Sequence, residues 1–260
     1  MNIIVLIKQV PDTWSERRLA HSDHTLDRGS ADAVIDEINE RAVEEALKIK
    51  EAIEGEVTVV TMGPERATDA IRKALSMGAD KAVHLCDEAL HGSCAVQTAR
   101  ALAKVIGTVG DVDLIIAGNE ATDGTIGAVP AMVAEVLGLP ELTHARKVTV
   151  EGRTVTVERE TDDAITVLQA DLPAVVSVHE KINEPRYPSF KGIMAAKKKP
   201  VSRLSLGDAG IESSEVGLVG ATSTVVESTP RPPREAGQVV TDEGDGGVKL
   251  AEYLIGHKLI

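Results

Sequence analysis

Aromatic residues are scarce in this chain: one Phe, one Trp and two Tyr occur among 260 residues. A core of this size must therefore be built from Val, Ile, Leu and Ala, which is typical of parallel strands covered by helices. Basic residues are also in the minority, with 28 Lys and Arg against 41 Asp and Glu and a formal charge of -13. This balance argues against nucleic acid or an anionic membrane surface as a partner.

Long apolar runs and cysteines are few as well. No apolar run reaches the roughly 18 residues of a membrane-spanning helix, and the start, MNIIVLIKQVPD, lacks the basic region and cleavage site of a signal peptide. We therefore expect a cytoplasmic protein without membrane insertion. The two cysteines, Cys86 and Cys94, match no zinc or redox spacing, which predicts two unpaired thiols.

Catalytic and metal-binding motifs are missing too. The seven histidines form no HExxH array, and the sequence contains no GxSxG elbow, no Walker lysine motif and no GxGxxG after the first strand. His21 and His24 indicate a solvated loop, and Glu40, Glu44 and Glu45 a solvated helix face. The sequence thus indicates a protein without catalytic or metal-binding residues of its own, whose chemistry belongs to a bound cofactor.

What is present is an alternation of short apolar runs and helical spacing, typical of a βαβ succession. Strands are predicted at 3–10, 57–62, 81–85 and 112–117, and helices at 37–53, 65–77, 95–106 and about 126–137. Later, alternating β-branched residues predict a β-hairpin over 146–160 and strands over 164–169 and 173–178. The predicted fold class is α/β, with an open, mainly parallel sheet flanked by helices and an added hairpin region.

The last quarter of the chain has a different composition. Beyond Ala195 the sequence is rich in Ser, Gly, Asp, Glu and Pro, with STPRPPREAG as the clearest linker and a short helical pattern over 247–256. We predict one α/β domain over 1–194 and an extended C-terminal arm over 195–260. Because such an arm has too few apolar residues for a core of its own, we expect it to wrap around another subunit.

Ligands of open parallel sheets bind at the carboxyl ends of the strands. The segments IKQVPD, TMGP and GNEATDGTIG lie at the ends of three predicted strands. In the third, the glycines permit close backbone approach and positive φ, Thr122 and Thr125 offer hydroxyls, and the following helix offers free N–H groups to a phosphate. The same Thr-Asp-Gly sequence also fits an ordinary turn and helix cap.

Several segments together resemble the beta subunit of electron transfer flavoproteins over almost the whole chain. They are VLIKQVPDT, AVEEALKIKE, VTMGP, AIRKALSMGADKAVHL, AGNEATDGTIG, VERETDD, LPAVVSV and, above all, NEPRYPSFKGIMAAKKK. The resemblance implies an adenine nucleotide alpha hydrolase-like fold and a heterodimer with an alpha subunit that holds most of an FAD, while this subunit buries an AMP. It also implies an electron carrier that accepts electrons from flavin dehydrogenases, such as the acyl-CoA dehydrogenases of fatty acid oxidation. The electrons then pass to the respiratory chain through an electron transfer flavoprotein:quinone oxidoreductase.

The resemblance also implies where AMP would lie. By position, its site would comprise Leu6, Asp36, Glu37, Ile38, Asn39, Met62, Gly118, Asn119, Glu120, Ala121, Thr122, Asp123, Gly124, Thr125, Ile126, Gly127, Ala128 and Val129. Common members carry Asn-Pro in place of Asp36-Glu37 and Gln in place of Ala128, and both changes weaken the expected contacts. The start VLIKQVPDT also resembles members in which this subunit carries a second FAD and bifurcates electrons. A non-redox nucleotide-binding regulatory module is the other alternative, but it would need neither the arm nor a docking loop.

The only Phe of the chain lies in the segment 183–199. In the family, the corresponding loop docks into partner dehydrogenases with an apolar residue at its tip, and Phe190 stands where better-known members have Leu. The residues implied in docking are Tyr187, Pro188, Phe190, Ile193, Met194, Lys197, Lys198 and Lys199. Alternatively, Phe190 folds back onto the domain. The lysines either steer an acidic partner or form the solvated end of a short helix.

Overall fold

The computed structural model of the chain describes residues 1–234, 237 and 239–260, so part of the predicted linker lies outside the described residues. The chain forms two compact units, Met1–Val226 and Glu227–Ile260. The strands of the first unit are β1 (Asn2–Leu6), β2 (Gln9–Pro11), β3 (Ala33–Ile35), β4 (Glu56–Met62), β5 (Lys81–Leu85), β6 (Leu114–Gly118), β7 (Glu141–Glu151), β8 (Thr154–Glu160), β9 (Ile165–Asp171), β10 (Ala174–Val178) and β11 (Val201–Leu204). Its helices are α1 (Glu37–Ile53), α2 (Thr68–Met77), α3 (Ala95–Val109), α4 (Val129–Leu137) and α5 (Phe190–Ala196), and the second unit contains α6 (Gly246–Gly256).

A nine-stranded sheet organises the first unit, in the order β11-β5-β4-β1-β6-β10-β7-β8-β9. The strands from β11 to β7 pair in parallel, and β8 and β9 extend the sheet antiparallel. Successive residues of a strand point to opposite faces. In β1, Ile3 and Val5 pack in one apolar cluster, and Ile4 and Leu6 pack in a second. Both faces of the parallel strands are thus covered, and the predicted α/β fold class is confirmed.

Several predicted elements are confirmed closely, and others differ for physical reasons. Helix α1 and strand β5 have the predicted bounds. The predicted strand 3–10 is interrupted after Leu6, because the N–H of Lys8 donates to Oδ1 of Asn39 at 2.7 Å and the chain leaves the sheet there. It continues as β2, which pairs with β3 in a separate two-stranded sheet. A short 3-10 turn precedes α2, and α4 begins at Val129 rather than 126.

The predicted domain boundary at 194/195 is too early. Strand β11 pairs in parallel with β5 at the edge of the sheet. Beyond it, Leu206, Ile211 and Val216 are buried in the second apolar cluster, and the compact unit extends to Val226. The sequence did not predict this extension, because the core residues of the segment occur one at a time among Ser, Gly and Asp and form no periodic pattern. Only Glu227–Ile260 forms a separate unit, and in its described part none of the residues of α6 is buried.

Both cysteines are free thiols, as predicted. Among the residues described, no helix has the length and apolar character needed to cross a membrane. The same part of the chain contains no group of three His, Cys, Asp or Glu side chains arranged to hold a metal ion.

Candidate functional site

The central strand β1 lies between β4 and β6, and the carboxyl ends of all three lie at one edge of the sheet. Leu6 is paired in register with Val60 of β4 and Ala117 of β6, and Met62 and Gly118 end those strands. The structure thus brings together the three strand ends that the sequence singled out. In open parallel sheets this edge is where ligands bind.

Gly118 is required by the approach of α1 to the sheet. A Cβ added at Gly118 would lie 2.5 Å from Nδ2 of Asn39 and 3.0 Å from Cγ2 of Ile38. Any larger residue would push the start of α1 away. The sequence indicated that backbone could approach closely at this glycine. In the structure the approaching atoms are side-chain atoms of Ile38 and Asn39, which lie beside the end of β6.

Asp36 links the start of α1 to the loop 118–129. One of its carboxylate oxygens caps α1 by accepting from the N–H of Ile38 at 2.9 Å. The other accepts from the N–H and the hydroxyl of Thr122 at 2.7 and 2.8 Å. A carboxylate at a helix N-terminus is favourable because it compensates the helix dipole. Asp36 therefore fixes the loop to α1, and its two oxygens are both occupied within the chain.

Asp123 is the second anchor of the same loop. Its buried carboxylate accepts from Nζ of Lys8 at 2.6 Å and from Nε of Arg28 at 2.9 Å. Burial alone would raise the pKa of Asp123, but the charges and hydrogen bonds of Lys8 and Arg28 outweigh it and hold the pKa below its usual value. Lys8 and Arg28 themselves are partly exposed, so they add positive charge to the surface of the site.

Two buried polar atoms at this edge lack a hydrogen-bond partner among the residues described. They are Oδ1 of Asn119, which follows β6, and Oγ1 of Thr61 in β4. The Nδ2 of Asn119 lies 3.3 Å from Nδ1 of His144. Burial and the charge of Arg159 lower the pKa of His144, which favours the neutral ring, and Nδ1 accepts in the tautomer that carries its proton on Nε2. Since buried polar groups are almost always bonded, Oδ1 of Asn119 offers an acceptor to a bound ligand.

The remainder of the loop is more open. Gly124, Thr125 and Ile126 are exposed, whereas Glu120, Ala121, Ala128 and Val129 are partly buried. Gly127 has a φ of +63° and Thr125 a φ of +49°, so positive φ occurs at one of the three glycines and at a threonine. Glu37 is exposed and lines a neighbouring surface cleft with Arg41, Glu180, Lys181, Asn183 and Glu184.

Four residues of this edge were not named as site residues from the sequence: Lys8, Arg28, Thr61 and His144. Of these, Lys8 and Thr61 lie in the segments IKQVPD and TMGP that were singled out. The signal for Lys8 and Thr61 was their place in segments at the carboxyl ends of strands. No local pattern marks Arg28 and His144, because their contacts with Asp123 and Asn119 join positions far apart in the chain.

The predicted docking segment, residues 183–199, exposes its apolar residues. Phe190 is 81% exposed and Tyr187 is 94% exposed, so the alternative in which Phe190 folds back onto the domain is wrong. Ser189 caps α5 by accepting from the N–H of Gly192 at 3.1 Å. Ile193 and Met194 are half exposed. Phe190 thus begins a short helix with its ring in solvent.

The three lysines of this segment differ from one another. Lys197 and Lys198 are exposed. The Nζ of Lys199 instead donates to the carbonyl oxygens of Leu75 and Ala79 at 3.0 and 2.5 Å. It therefore satisfies backbone acceptors at the end of α2, and the structure does not present Lys199 as a free charge for a partner.

The prediction of a solvated face at Glu44 and Glu45 is wrong. Both side chains are buried, and only Glu40 is partly exposed. Glu44 accepts from Arg186, and Glu45 accepts from Nδ2 of Asn183 at 3.0 Å. Burial raises the pKa of Glu45. The helical pattern showed two charged residues beside an apolar face but not the segment that covers them.

Comparisons with known proteins identify a family that the chain matches over most of its length. A family model described as the electron transfer flavoprotein domain matches residues 23–209. The chain is 65% identical to the electron transfer flavoprotein subunit beta of Mycobacterium tuberculosis, over 100% of this chain and 99% of that protein. It is 41% identical to the protein of the same name from Thermoanaerobacterium thermosaccharolyticum, over 96% and 95% of the two chains.

A relative with a different name is the caffeyl-CoA reductase-Etf complex subunit CarD of Acetobacterium woodii. It is 34% identical over 93% of this chain and 92% of that protein. The family model covers more than half of the chain, and the relatives are similar over nearly the whole of it. The chain belongs to the electron transfer flavoprotein beta subunit family.

Proposed function

We propose that this chain is the electron carrier subunit of a heterodimer, which accepts electrons from flavin dehydrogenases that dock onto Phe190. The observation that carries the proposal is the exposure of Phe190, the single Phe of the chain, on a segment bonded to the domain. An exposed aromatic residue gains energy when a partner pocket removes it from water, and such residues dominate binding at interfaces.

The edge formed by β1, β4 and β6 fits an adenine nucleotide, which we propose to be AMP. Oδ1 of Asn119 is a buried acceptor suited to an amino group, and Lys8 and Arg28 are partly exposed cations suited to a phosphate. Asp123 holds both cations in place, and Asp36 holds the loop through Thr122. These residues bind and orient the nucleotide, and it serves a structural purpose.

Redox chemistry would be supplied by an FAD held mainly by the alpha subunit. The family membership implies that heterodimer, and the exposed apolar residues of α6, including Leu250, Tyr253 and Ile255, support an arm that lies on the alpha subunit. This chain positions the partner and gives access to dehydrogenases. We propose no catalytic role for its own side chains.

The proposed electron donors are acyl-CoA dehydrogenases and related flavin enzymes, and the proposed acceptor is a quinone oxidoreductase of the respiratory chain. The name of the relative from Acetobacterium woodii places that protein in a complex with a reductase of a CoA thioester. This supports donors or acceptors that act on CoA thioesters. We expect the heterodimer to work in the cytoplasm.

A second candidate is a subunit that carries its own FAD and bifurcates electrons. It is favoured by Asp36, which stands where AMP-binding members have Asn. Both oxygens of Asp36 accept hydrogen bonds from the chain itself, so the AMP contact expected at this turn is weakened. The number of flavins per heterodimer distinguishes the two candidates.

The proposed docking is tested with the Phe190→Ala heterodimer. Because the ring is exposed, we expect a change in the free energy of unfolding within about 0.5 kcal/mol. Loss of an anchor worth about 2 kcal/mol should raise the KM for a reduced dehydrogenase roughly 30-fold. Direct chemical reduction of the flavin should be unchanged.

The matched control is Val219→Ala, which removes another strongly exposed apolar side chain. This substitution should alter neither the free energy of unfolding nor the KM for a reduced dehydrogenase. A large fall in melting temperature together with an unaltered KM in Phe190→Ala would show that Phe190 is a structural residue.

A further inference from the structure

Arg186 bonds the predicted docking segment to α1 through two carboxylates. Its Nε and Nη2 donate to the two oxygens of Glu44 at 2.8 and 3.1 Å. Its Nη1 and Nη2 donate to the two oxygens of Glu51 at 2.6 and 3.2 Å. The N–H of Arg186 also donates to Glu44 at 3.1 Å. Such paired bonds are stronger than single ones and fix the plane of the guanidinium.

The pair between Arg186 and Glu44 is the more buried of the two. The side chain of Glu44 is 6% exposed, against 57% for that of Glu51. A buried ion pair adds little net stability compared with an apolar pair, because both charges lose their hydration. Such a pair instead favours one geometry, because either charge would be buried without a partner in any other arrangement. The pair therefore fixes where the segment is attached to α1.

The other end of the segment is fixed to α2. A Cβ added at Gly192 would lie 2.5 Å from the carbonyl oxygen of Ser76, so α5 and α2 are in close contact. Arg72 donates to the carbonyl oxygen of Ala196 at 2.7 Å, and Lys199 donates to the last turn of α2. Phe190 thus lies between one attachment at Arg186 and a second that begins at Gly192.

The residues between these attachments have few conformations open to them. The proline ring fixes φ at Pro188 and also at Pro185, which directly precedes Arg186. Tyr187 and Phe190 are nevertheless largely exposed. The arrangement holds an aromatic ring in solvent on a backbone that is already ordered. A partner then pays little conformational entropy when it binds the ring.

We propose that Arg186 and Glu44 are positioning residues for dehydrogenase docking, which set the place from which Phe190 is presented. The inference rests on the proposed function of the segment. Neither residue needs to touch the dehydrogenase. Their effect passes through Phe190, which distinguishes them from residues that contribute contacts of their own.

The test uses the intact heterodimer with Arg186→Gln, Arg186→Lys and Glu44→Gln. Since released side chains must be ordered again on binding, we expect the KM for a reduced dehydrogenase to rise roughly fivefold in Arg186→Gln and Glu44→Gln, with kcat unchanged. Amide hydrogen exchange in residues 183–191 should become faster. Arg186→Lys should recover only part of the loss, because an ammonium group cannot bond both carboxylates in pairs.

The matched control is Arg146→Gln. Arg146 is exposed to the same extent as Arg186 and pairs with Glu160 on the hairpin of β7 and β8. The Arg146→Gln substitution should change neither the KM for a reduced dehydrogenase nor amide hydrogen exchange in residues 183–191. If Arg186→Gln does not assemble, Glu44→Gln, which keeps the guanidinium and its pair with Glu51, provides the test.

A double variant separates this inference from the function on which it rests. If positioning acts through Phe190, Arg186→Gln should add little to the KM of Phe190→Ala. Faster exchange in Arg186→Gln and Glu44→Gln with an unchanged KM would overturn the positioning role while leaving docking intact. An unchanged KM in Phe190→Ala itself would overturn the docking function instead.

Discussion

Asp123 joins three separate parts of the chain through a single carboxylate. Its partners are Lys8, which follows β1, and Arg28, which precedes β3, while Asp123 itself lies in the loop after β6. Asp36 ties the same loop to α1 through Thr122. The loop is thus held by two buried carboxylates rather than by its glycines. At the residue scale, these two groups determine the shape of the candidate nucleotide site.

Replacement of Asp123 by Asn should therefore weaken the site and the fold. Hydrogen bonds between charged groups contribute about 1.5–3 kcal/mol, less where the partner is partly exposed, so we expect a loss of about 1–2 kcal/mol at pH 7. Retention of an adenine nucleotide on gel filtration should also fall. Urea unfolding of Asp123→Asn beside the exposed-site variant Asp162→Asn measures the first effect.

The same variant predicts a dependence on pH. The folded-state pKa of Asp123 is lowered, so its carboxylate stabilises the fold fully above the unfolded pKa, and this stability is lost as the pH falls through the folded pKa. The difference between the natural chain and Asp123→Asn should shrink below about pH 4. A difference that stays constant or grows on acidification would contradict the ion-pair account of Asp123.

Strand β11 is the element that decides where the folded unit ends. Truncation after Lys199 would remove β11 together with Leu206, Ile211 and Val216, each a buried side chain. At about 1.5–3 kcal/mol for each apolar side chain, the loss is comparable to the whole stability of a domain. We expect this truncated chain to melt at a much lower temperature or to aggregate.

Truncation after Val226 provides the comparison at the scale of the element. It removes only the second unit, so the first unit should keep its melting temperature while association with the flavin-bearing subunit weakens. Circular dichroism during heating and a binding titration give the two results. Equal melting temperatures for the two truncated chains would show that β11 and the residues after it contribute nothing to the core.

Local patterns correctly predicted those helices and strands whose own sequence carries a clear apolar periodicity. The spacing of apolar residues was sufficient for α1, and the run KAVHL was sufficient for β5. Patterns failed where a residue far along the chain determines the local structure. The chain leaves the sheet at Lys8, whose N–H donates to Asn39. Strand β11 forms by pairing with β5 at the edge of the sheet. Glu44 looked solvated because Arg186, which covers it, lies far along the chain.

The candidate site was predictable to a similar degree. The strand ends and the loop 118–129 follow from the βα alternation and the glycine-rich segment, and the exposure of Phe190 follows from its place between prolines and lysines. The partners Arg28 and His144 do not follow, because ion pairs and hydrogen bonds across the fold leave no periodic signal. A sequence therefore indicates where such a site lies better than how its side chains are held.

At the scale of the whole molecule, the acidic chain exposes Phe190 on the docking segment, and the second unit exposes apolar residues of its helix α6. Both features are unfavourable for a protein that acts alone, since exposed apolar groups promote association. Tyr253 and Ile255 on α6 and Phe190 on α5 belong to separate units. They support the two separate interfaces that we propose, one with the alpha subunit and one with dehydrogenases.

The most direct measurement is the content of the purified complex. The tagged chain is expressed in cells that also make the flavin-bearing subunit, the complex is isolated, and the nucleotides released on denaturation are counted by mass spectrometry. We predict a yellow partner of about 30 kDa, the size of one further α/β chain with its cofactor domain, and one FAD and one AMP per heterodimer. Two FAD per heterodimer would favour the bifurcating candidate. A chain that purifies without a flavin-bearing partner and without any nucleotide would contradict the account.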